Sequence, residues 1–280
     1  LYKPGKDKEA RETPLTSLTA EDINKINSIE IRRKNLADLS FKKTGQAWRL
    51  VKPFSARANK FNVNALLHIT TTPVESSFTA TAQELEKFGL SNPATVLTLD
   101  EYTIIVGRSH PLKNSRYVLS ENTISVLPVQ ALRILENSEN DFINNRLLNE
   151  GMKLSEILLP GVKISEKEGQ WKVSTKKING KNKKIPADKL NDFIAEWENA
   201  RALTVLRYSG RQAVAKIKLK IKGKNAAGKA INNITLGILA YEPEFVLYRK
   251  DEDLEYRFPQ EAGKRLLQPW LLAEERPGKK

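Results

Sequence analysis

Ser109 and His110 are adjacent in the segment GRSHP, and serine with histidine is the pair that many hydrolases use as nucleophile and general base. A nucleophile elbow follows the pattern G-x-S-x-G, however, and Pro111 stands where the second glycine is needed. Adjacency in sequence also does not make a catalytic triad, which is defined by the spatial arrangement of its members. The pattern therefore predicts a turn between two strands.

The segment GKNAAGKA, residues 223–230, nearly matches the phosphate-binding loop G-x-x-x-x-G-K-[ST]. Its last residue, Ala230, has no hydroxyl group to bind Mg²⁺, and the segment INNITLGILA that follows has the character of a strand. A phosphate-binding loop must instead open a helix whose N-terminus faces the phosphate groups. We expect a glycine-rich hairpin turn at this position.

Metal-binding and acid–base chemistry have few candidate residues in this chain. It contains two histidines and no cysteine, so thiolate–zinc sites, iron–sulfur clusters, disulfides and cysteine nucleophiles are excluded. His68 occupies the helical position that Trp197 has in a similar later segment, which predicts a packed or half-buried ring. Asp251, Glu252 and Asp253 cluster at a hairpin tip without calcium-loop spacing, which favours a solvated turn. We accordingly expect no catalytic, cofactor-binding or metal-binding residue, and no enzyme activity.

A row of lysines is the most pronounced electrostatic feature. In AKIKLKIK, residues 215–222, apolar residues alternate with lysines, and successive side chains of a strand point to opposite faces. The pattern predicts that Ile217, Leu219 and Ile221 are buried and that four ammonium groups are exposed about 7 Å apart. A second basic run, residues 176–184, lies in the same half of the chain. The candidate anion-contact residues are Lys216, Lys218, Lys220, Lys222, Lys181, Lys183 and Lys184.

Two interpretations of this lysine row remain open. It is either a solvated face whose charges prevent edge-to-edge aggregation, or a surface that attracts anions. The net charge of +14 and the pI near 9.7 favour anionic partners in general. Nucleic-acid interfaces usually add interleaved aromatic residues or an arginine-rich helix, and the lysine row has neither, so specific nucleic-acid binding is not expected. Lysines suit diffuse attraction to an anionic membrane surface.

The elements that must position these residues occur twice along the chain. The strand-like QAWRLV contains Trp48 and precedes a helix that Asn59 is predicted to cap, and QWKVS contains Trp171 and precedes a helix that Asp188 is predicted to cap. The later hairpin FVLYRKDEDLEYRFP resembles the earlier YVLSENTISVLP. This order predicts a duplication and two large repeats, since a solenoid needs shorter and more numerous units.

The predicted fold class is α+β, with two tandem homologous lobes, each made mostly of antiparallel strands with one or two packed helices. The chain of 280 residues is long enough for two domains of ordinary size. The predicted organisation is a polar tether at 1–24, a first repeat at 25–150, a second repeat at 151–272 and a tail at 273–280.

Several motifs together resemble a known bacterial family. They are FGLSNP at residues 88–93, the strand ending IIVG at 104–107, the strand RYV at 116–118, and Asp141-Phe142. In this order they are similar to the family of the domain of unknown function 4340, and the likeness extends over about residues 25–272. The second half has no counterpart of residues 88–93.

The resemblance implies a location more than an activity. Members of that family typically carry an N-terminal membrane-anchoring helix followed by a body on the periplasmic side, and some are encoded beside ABC-type export or gliding systems. Because the sequence starts at Leu1 and continues as a polar stretch, we expect such an anchor upstream. The expected function is a non-catalytic interaction module with a protein partner in the cell envelope. The alternatives are a basic nucleic-acid-binding protein and an enzyme with an unrecognised site between the lobes.

Overall fold

The computed structural model describes residues 14–16, 20–175, 185–222 and 233–268. Within these residues the chain forms two compact units, the first ending at Phe142 and the second beginning at Ile143. Two short segments, Thr44–Ala47 and Phe54–Ala56, group with the second unit. No helix among the described residues combines the length and apolar character that a membrane span requires.

The first unit is built around a nine-stranded sheet in the order β4-β3-β2-β1-β6-β7-β8-β9-β5. Its strands are β1 (Ser28–Arg33), β2 (Leu39–Thr44), β3 (Ala47–Lys52), β4 (Ala56–Arg57), β5 (Ser76–Thr79), β6 (Thr95–Leu99), β7 (Tyr102–Ser109), β8 (Ser115–Ser120) and β9 (Thr123–Pro128). Its helices are α1 (Ala20–Lys25), α2 (Lys60–His68), α3 (Ala82–Lys87) and α4 (Val129–Leu132). Single 3-10 turns cover Ile69–Thr71, Arg133–Glu136 and Glu139–Phe142.

The second unit is built around an eight-stranded antiparallel sheet in the order β12-β11-β10-β14-β15-β16-β17-β13. Its strands are β10 (Lys153–Leu159), β11 (Val162–Lys167), β12 (Gln170–Thr175), β13 (Thr204–Arg207), β14 (Ala215–Lys222), β15 (Asn233–Ala240), β16 (Glu244–Arg249) and β17 (Leu254–Pro259). Its helices are α5 (Ala187–Asn199) and α6 (Gln260–Leu267). Two sheets with mainly antiparallel pairing and few helices confirm the predicted α+β class.

Helix α5 shows how periodicity builds the second core. The spacing of Leu190, Phe193, Ile194 and Trp197 predicts one apolar helical face, and the structure confirms it because all four are buried. Trp197 is fully buried, and its indole N–H donates to the Leu266 carbonyl at 2.9 Å, which ties α5 to α6.

The two predicted helix caps have different outcomes. The Asn59 side chain accepts from the Phe61 amide at 3.0 Å, so Asn59 is confirmed as the N-cap of α2. The prediction for Asp188 was wrong, because α5 begins at Ala187 and Pro186 is its N-cap. The Pro186 carbonyl already accepts from the Leu190 amide at 3.1 Å, which places Asp188 inside the first turn. A carboxylate there still interacts favourably with the positive end of the helix dipole.

The prediction of a packed or half-buried His68 was wrong. The buried residues of α2 are Val63, Leu66 and Leu67, and His68 is exposed at the end of the helix. One residue corresponds to about a 100° rotation around a helix axis, which carries His68 off the face that Leu67 shares. The sequence pattern also places Phe61 on the apolar face of this helix, and that prediction is wrong because Phe61 is 82% exposed.

The segment NDFINNRLL, residues 140–148, has a composition that predicts a helix, but the structure has no α-helix there. A single 3-10 turn ends at Phe142, and the next residues bond to other parts of the second unit. The Leu147 amide donates to the Ala200 carbonyl at 2.9 Å, and the Leu147 carbonyl accepts from the buried Arg249 guanidinium. Because these backbone groups already have hydrogen-bond partners elsewhere, they do not form the hydrogen bonds of an α-helix.

Candidate anion-contact surface

The lysine row lies on β14, in the interior of the second sheet between β10 and β15. Ile217, Leu219 and Ile221 are buried, and the lysines between and beyond them are exposed, so the predicted alternation is confirmed. The exposed lysines are Lys216, Lys218, Lys220 and Lys222. Their regular spacing follows from the strand itself, since side chains two residues apart share a face.

Two of the four lysines are paired with acidic residues of neighbouring strands. Lys220 approaches Glu156 of β10 with an Nζ–Oε2 distance of 3.4 Å, and Lys163 of β11 approaches the same oxygen at 3.0 Å. Burial disfavours ionisation of Glu156, but hydrogen bonds from Lys163 and Lys220 outweigh it and hold the pKa of this carboxyl below its ordinary value. Lys222 is ion-paired with Glu166 of β11. The positive charge at this end of β14 is therefore partly compensated.

The other two lysines have neutral surroundings. Lys216 and Lys218 make no ion pair with any residue in the described part of the chain. In the strand register Lys216 lies opposite Gly237, and Lys218 lies opposite Thr235 on one side and Leu158 on the other. Positive charge is thus least compensated in the first half of β14, an asymmetry that the sequence pattern did not predict.

The remaining candidates lie outside the described residues. Lys181, Lys183 and Lys184 belong to residues 176–184, and the glycine-rich segment 223–230 also falls outside the description. The described candidates are the four lysines of β14.

Ser109 is the last residue of β7, opposite Arg116 in the strand register, and the next residue, His110, has structural partners for its ring and its amide. His110 Nδ1 accepts from the Leu112 amide at 3.2 Å, and the imidazole ring lies 5.4 Å from the Tyr117 ring, centroid to centroid. The His110 amide donates to the Ser115 carbonyl at 2.8 Å, which closes the connection between β7 and β8. The predicted turn between strands is confirmed.

The acidic hairpin tip is only partly a solvated turn. Glu252 has a side chain that is 8% exposed, and one of its carboxylate oxygens is 3.4 Å from Arg249, which is itself buried. Asp251 approaches the same guanidinium at 2.9 Å. The solvated interpretation was wrong for Glu252, because burial of the cationic Arg249 in β16 requires anionic partners at the adjacent turn.

A second buried charge, Glu255 of β17, was missed by sequence reasoning. Its carboxylate accepts from the Ser209 amide at 3.0 Å and from the Ser209 hydroxyl, and it pairs with Arg211 at 3.0 Å. These contacts fix the connection between β13 and β14. Burial alone would raise the pKa of Glu255, but the hydrogen bonds and the Arg211 charge lower it below the ordinary value. In β17, LEYRFP, alternation places Glu255 on the face opposite Leu254 and Tyr256, so the sequence pattern carries no signal of its burial.

Comparison with known proteins gives one family. The sequence matches the model of the family described as Domain of unknown function (DUF4340) over residues 48–220. The chain belongs to the DUF4340 family. The resemblance inferred from the motifs is thereby confirmed. The DUF4340 match begins at Trp48 in β3 and ends at Lys220 in β14, so it includes three of the four exposed lysines. No curated protein and no solved structure matches the chain.

Proposed function

We propose that this DUF4340 protein is a non-catalytic, extracytoplasmic interaction module that contacts an anionic membrane surface through β14. The observation that carries the proposal is the exposed lysine row, and above all Lys216 and Lys218, whose charges have no ion-pair partner in the described residues. A lysine near an anionic lipid surface contributes about 1 kcal/mol of attraction. Two uncompensated lysines therefore supply about 2 kcal/mol, and the net charge of +14 adds long-range attraction.

We also propose that the two units are copies of one ancestral unit. Without the short β4, the first sheet has the order β3-β2-β1-β6-β7-β8-β9-β5, and the second has β12-β11-β10-β14-β15-β16-β17-β13. If the strands of each unit are counted in chain order, each strand has the same place in its sheet as its counterpart in the other unit. The register shifts between β7 and β8 and between β15 and β16 also fall in corresponding strand pairs. Trp48 and Trp171 are each the second residue of the third strand.

The duplication separates what the fold requires from what the second unit adds. In the aligned orders β14 corresponds to β6, which reads TVLTL and contains no lysine. A strand in this position of the sheet therefore does not need a row of lysines in order to fold. The lysine row belongs to the second unit alone, as expected for a surface that acquired its own contact role.

Contact rather than catalysis is supported by the positions of the reactive side chains. His110 Nδ1 is occupied by the Leu112 amide, Glu252 pairs with Arg249, and Glu255 fixes the loop at Ser209. Each of these groups has a role in closing a turn or anchoring a connection.

The location and the partner are proposed from the family resemblance. An N-terminal anchor and a body outside the cytoplasm would hold the chain close to a membrane, where tethering raises the effective concentration of a weakly attractive face. We propose that the protein partner belongs to the cell envelope and to an ABC-type export or similar system.

Vesicle binding tests the proposal. The chain should sediment with phosphatidylglycerol-containing vesicles and not with pure phosphatidylcholine vesicles, and binding should weaken as salt rises, because charges are screened over about 8 Å at physiological ionic strength. Replacing all four β14 lysines with glutamine should abolish binding and leave the far-UV circular dichroism spectrum unchanged. If this variant bound the vesicles as well as the wild-type protein, the proposal would be wrong and the lysine row would be a solvated face.

Binding to duplex DNA, measured alongside vesicle binding, tests the alternative that the protein binds nucleic acid. We expect weak binding that is independent of sequence, because the lysine row provides phosphate attraction without side chains that read base edges. Tight, sequence-selective binding in the same salt range would overturn the envelope proposal.

A further inference from the structure

An open cleft of about 570 Å³ in the first unit is lined by residues from three of the family-like motifs, those at residues 88–93, 104–107 and 116–118. It is lined by Glu86, Gly89, Asn92, Gly107, Arg108 and Arg116, with smaller residues between them. Ligand sites for small molecules commonly have volumes of about 300–1,000 Å³. The lysine row of β14 has no residue in this lining.

The wall of the cleft depends on two glycines. A Cβ atom at Gly107 would lie 2.9 Å from Leu90 Cδ2 and closer still to the Phe88 carbonyl oxygen, so this position of β7 admits no side chain. Gly89 has a φ of +70°, a conformation that other residues rarely adopt, and it follows the end of α3. The Phe88 carbonyl accepts from the Arg108 amide at 2.8 Å, which fixes the loop against β7.

Two guanidinium groups are held in place by backbone carbonyls. Arg116 donates from Nε and Nη2 to the Gly107 carbonyl at 3.1 and 2.7 Å, and Arg108 donates from Nη1 to the Lys87 carbonyl at 3.3 Å. The remaining contact of Arg116 is a 3.8 Å approach to Glu136, a largely exposed carboxylate, and such a pair contributes little. Each arginine therefore keeps N–H donors for a further acceptor, and Arg116 is held more firmly than the exposed Arg108 because it makes two of these bonds.

The neutral and acidic groups that line the cleft restrict the charge and the polar groups of a ligand that could bind there. Lys34 donates to the Asn92 side-chain oxygen at 2.8 Å, which leaves the amide NH₂ of Asn92 as a donor. Two arginines and one glutamate line the cleft, so its lining carries one net positive charge. That balance suits a ligand with a single negative charge and hydroxyl groups better than a polyphosphate.

We propose that this cleft binds a hydroxylated carboxylic acid, such as a uronic acid, with its carboxylate at Arg108 and Arg116 and its hydroxyl groups at Glu86 and Asn92. Guanidinium groups match the planar carboxylate by paired hydrogen bonds.

The test is an NMR titration of the full chain, following the backbone amide signals of Gly107, Arg108 and Gly89. Sodium glucuronate should shift them saturably, and glucose, which lacks the carboxylate, should not. No saturable shift, or equal shifts with glucose, would overturn the proposal. Tighter binding of glucose 6-phosphate would overturn the assignment to a carboxylate in favour of a phosphate.

Substitutions at Arg108 and at a control lysine test whether the ligand binds in this cleft. Arg108→Gln should weaken glucuronate binding about tenfold, the effect of losing one charge-assisted hydrogen bond. Arg108→Lys keeps the charge but loses the planar pair of donors, so it should also weaken glucuronate binding. If the glutamine variant does not fold, the lysine variant provides the test. Lys60→Gln removes an exposed lysine of the same unit that does not line the cleft, and it should leave the affinity unchanged. An equal loss in the Lys60 variant would show only diffuse attraction and overturn the site. None of these outcomes depends on vesicle binding.

Discussion

Replacing Trp197 with alanine should destabilise the second unit by about 3–5 kcal/mol. The indole is fully buried on the apolar face of α5, and its N–H donates to the Leu266 carbonyl at 2.9 Å. Removing the ring creates a cavity, and it also leaves a carbonyl of α6 without its partner, which adds about 1 kcal/mol. We therefore expect a value near the upper end of the range.

Trp171 provides a matched control with the same chemical change. It is half-buried on the edge strand β12, so Trp171→Ala should cost about 1–2 kcal/mol, in proportion to the apolar area that it covers. Trp197→Phe separates the two contributions, since it keeps most of the packing and removes the hydrogen bond. Its cost should lie between those of the two alanine variants.

Urea unfolding followed by far-UV circular dichroism measures these differences, because the free energy of unfolding falls linearly with denaturant concentration. Far-UV dichroism is preferred to fluorescence, since each variant removes one of four tryptophans. The reasoning would be refuted if Trp171→Ala destabilised the protein as much as Trp197→Ala. It would be equally refuted if Trp197→Ala cost less than about 1 kcal/mol.

Three further predictions concern stability. Gly107→Ala should cost about 1–3 kcal/mol, read as a lower Tm, because its Cβ overlaps neighbouring atoms; an unchanged Tm would mean that the loop can move away. Asn59→Ala should cost about 1 kcal/mol in urea unfolding and Asp188→Ala less than about 0.5 kcal/mol, and the reverse order would contradict the cap assignment. Glu255 has a lowered pKa in the folded state, so its ionised form stabilises the fold above the ordinary value of 4.5, and this contribution is lost as pH falls through the lowered pKa. Glu255→Gln should therefore lower the Tm at pH 7, with a difference from wild type that narrows below about pH 4.5, and a constant difference would exclude an ionised Glu255 paired with Arg211.

Strong local patterns predicted much of the fold. The alternation in β14 and the helical face of α5 each place apolar side chains on one side, so burial follows directly from the period. Asn59 was predictable as a cap because its own side chain makes the capping bond. The cap of α5 was not, since Pro186 begins the helix through its backbone carbonyl alone.

Interactions between distant segments could not be predicted. Strand β10 was not recognised in KLSEILL, so Glu156 could not be placed beside Lys220, and the partial compensation of the lysine row was missed. Residues 143–148 also have helix-compatible composition, but the buried Arg249 and the Ala200 carbonyl bind their backbone. Tertiary hydrogen bonds of this kind override local propensity and leave no local signal.

The most direct measurement compares the vesicle affinity of two doubly substituted proteins with equal net charge. The first is Lys216→Gln with Lys218→Gln, and the second is Lys42→Gln with Lys250→Gln, which changes exposed lysines outside β14. At about 1 kcal/mol per lysine, the first protein should bind phosphatidylglycerol vesicles about thirtyfold more weakly than wild type, and the second should bind nearly as well as wild type. An equal loss in both proteins would show that net charge alone governs binding and would contradict a contact surface on β14.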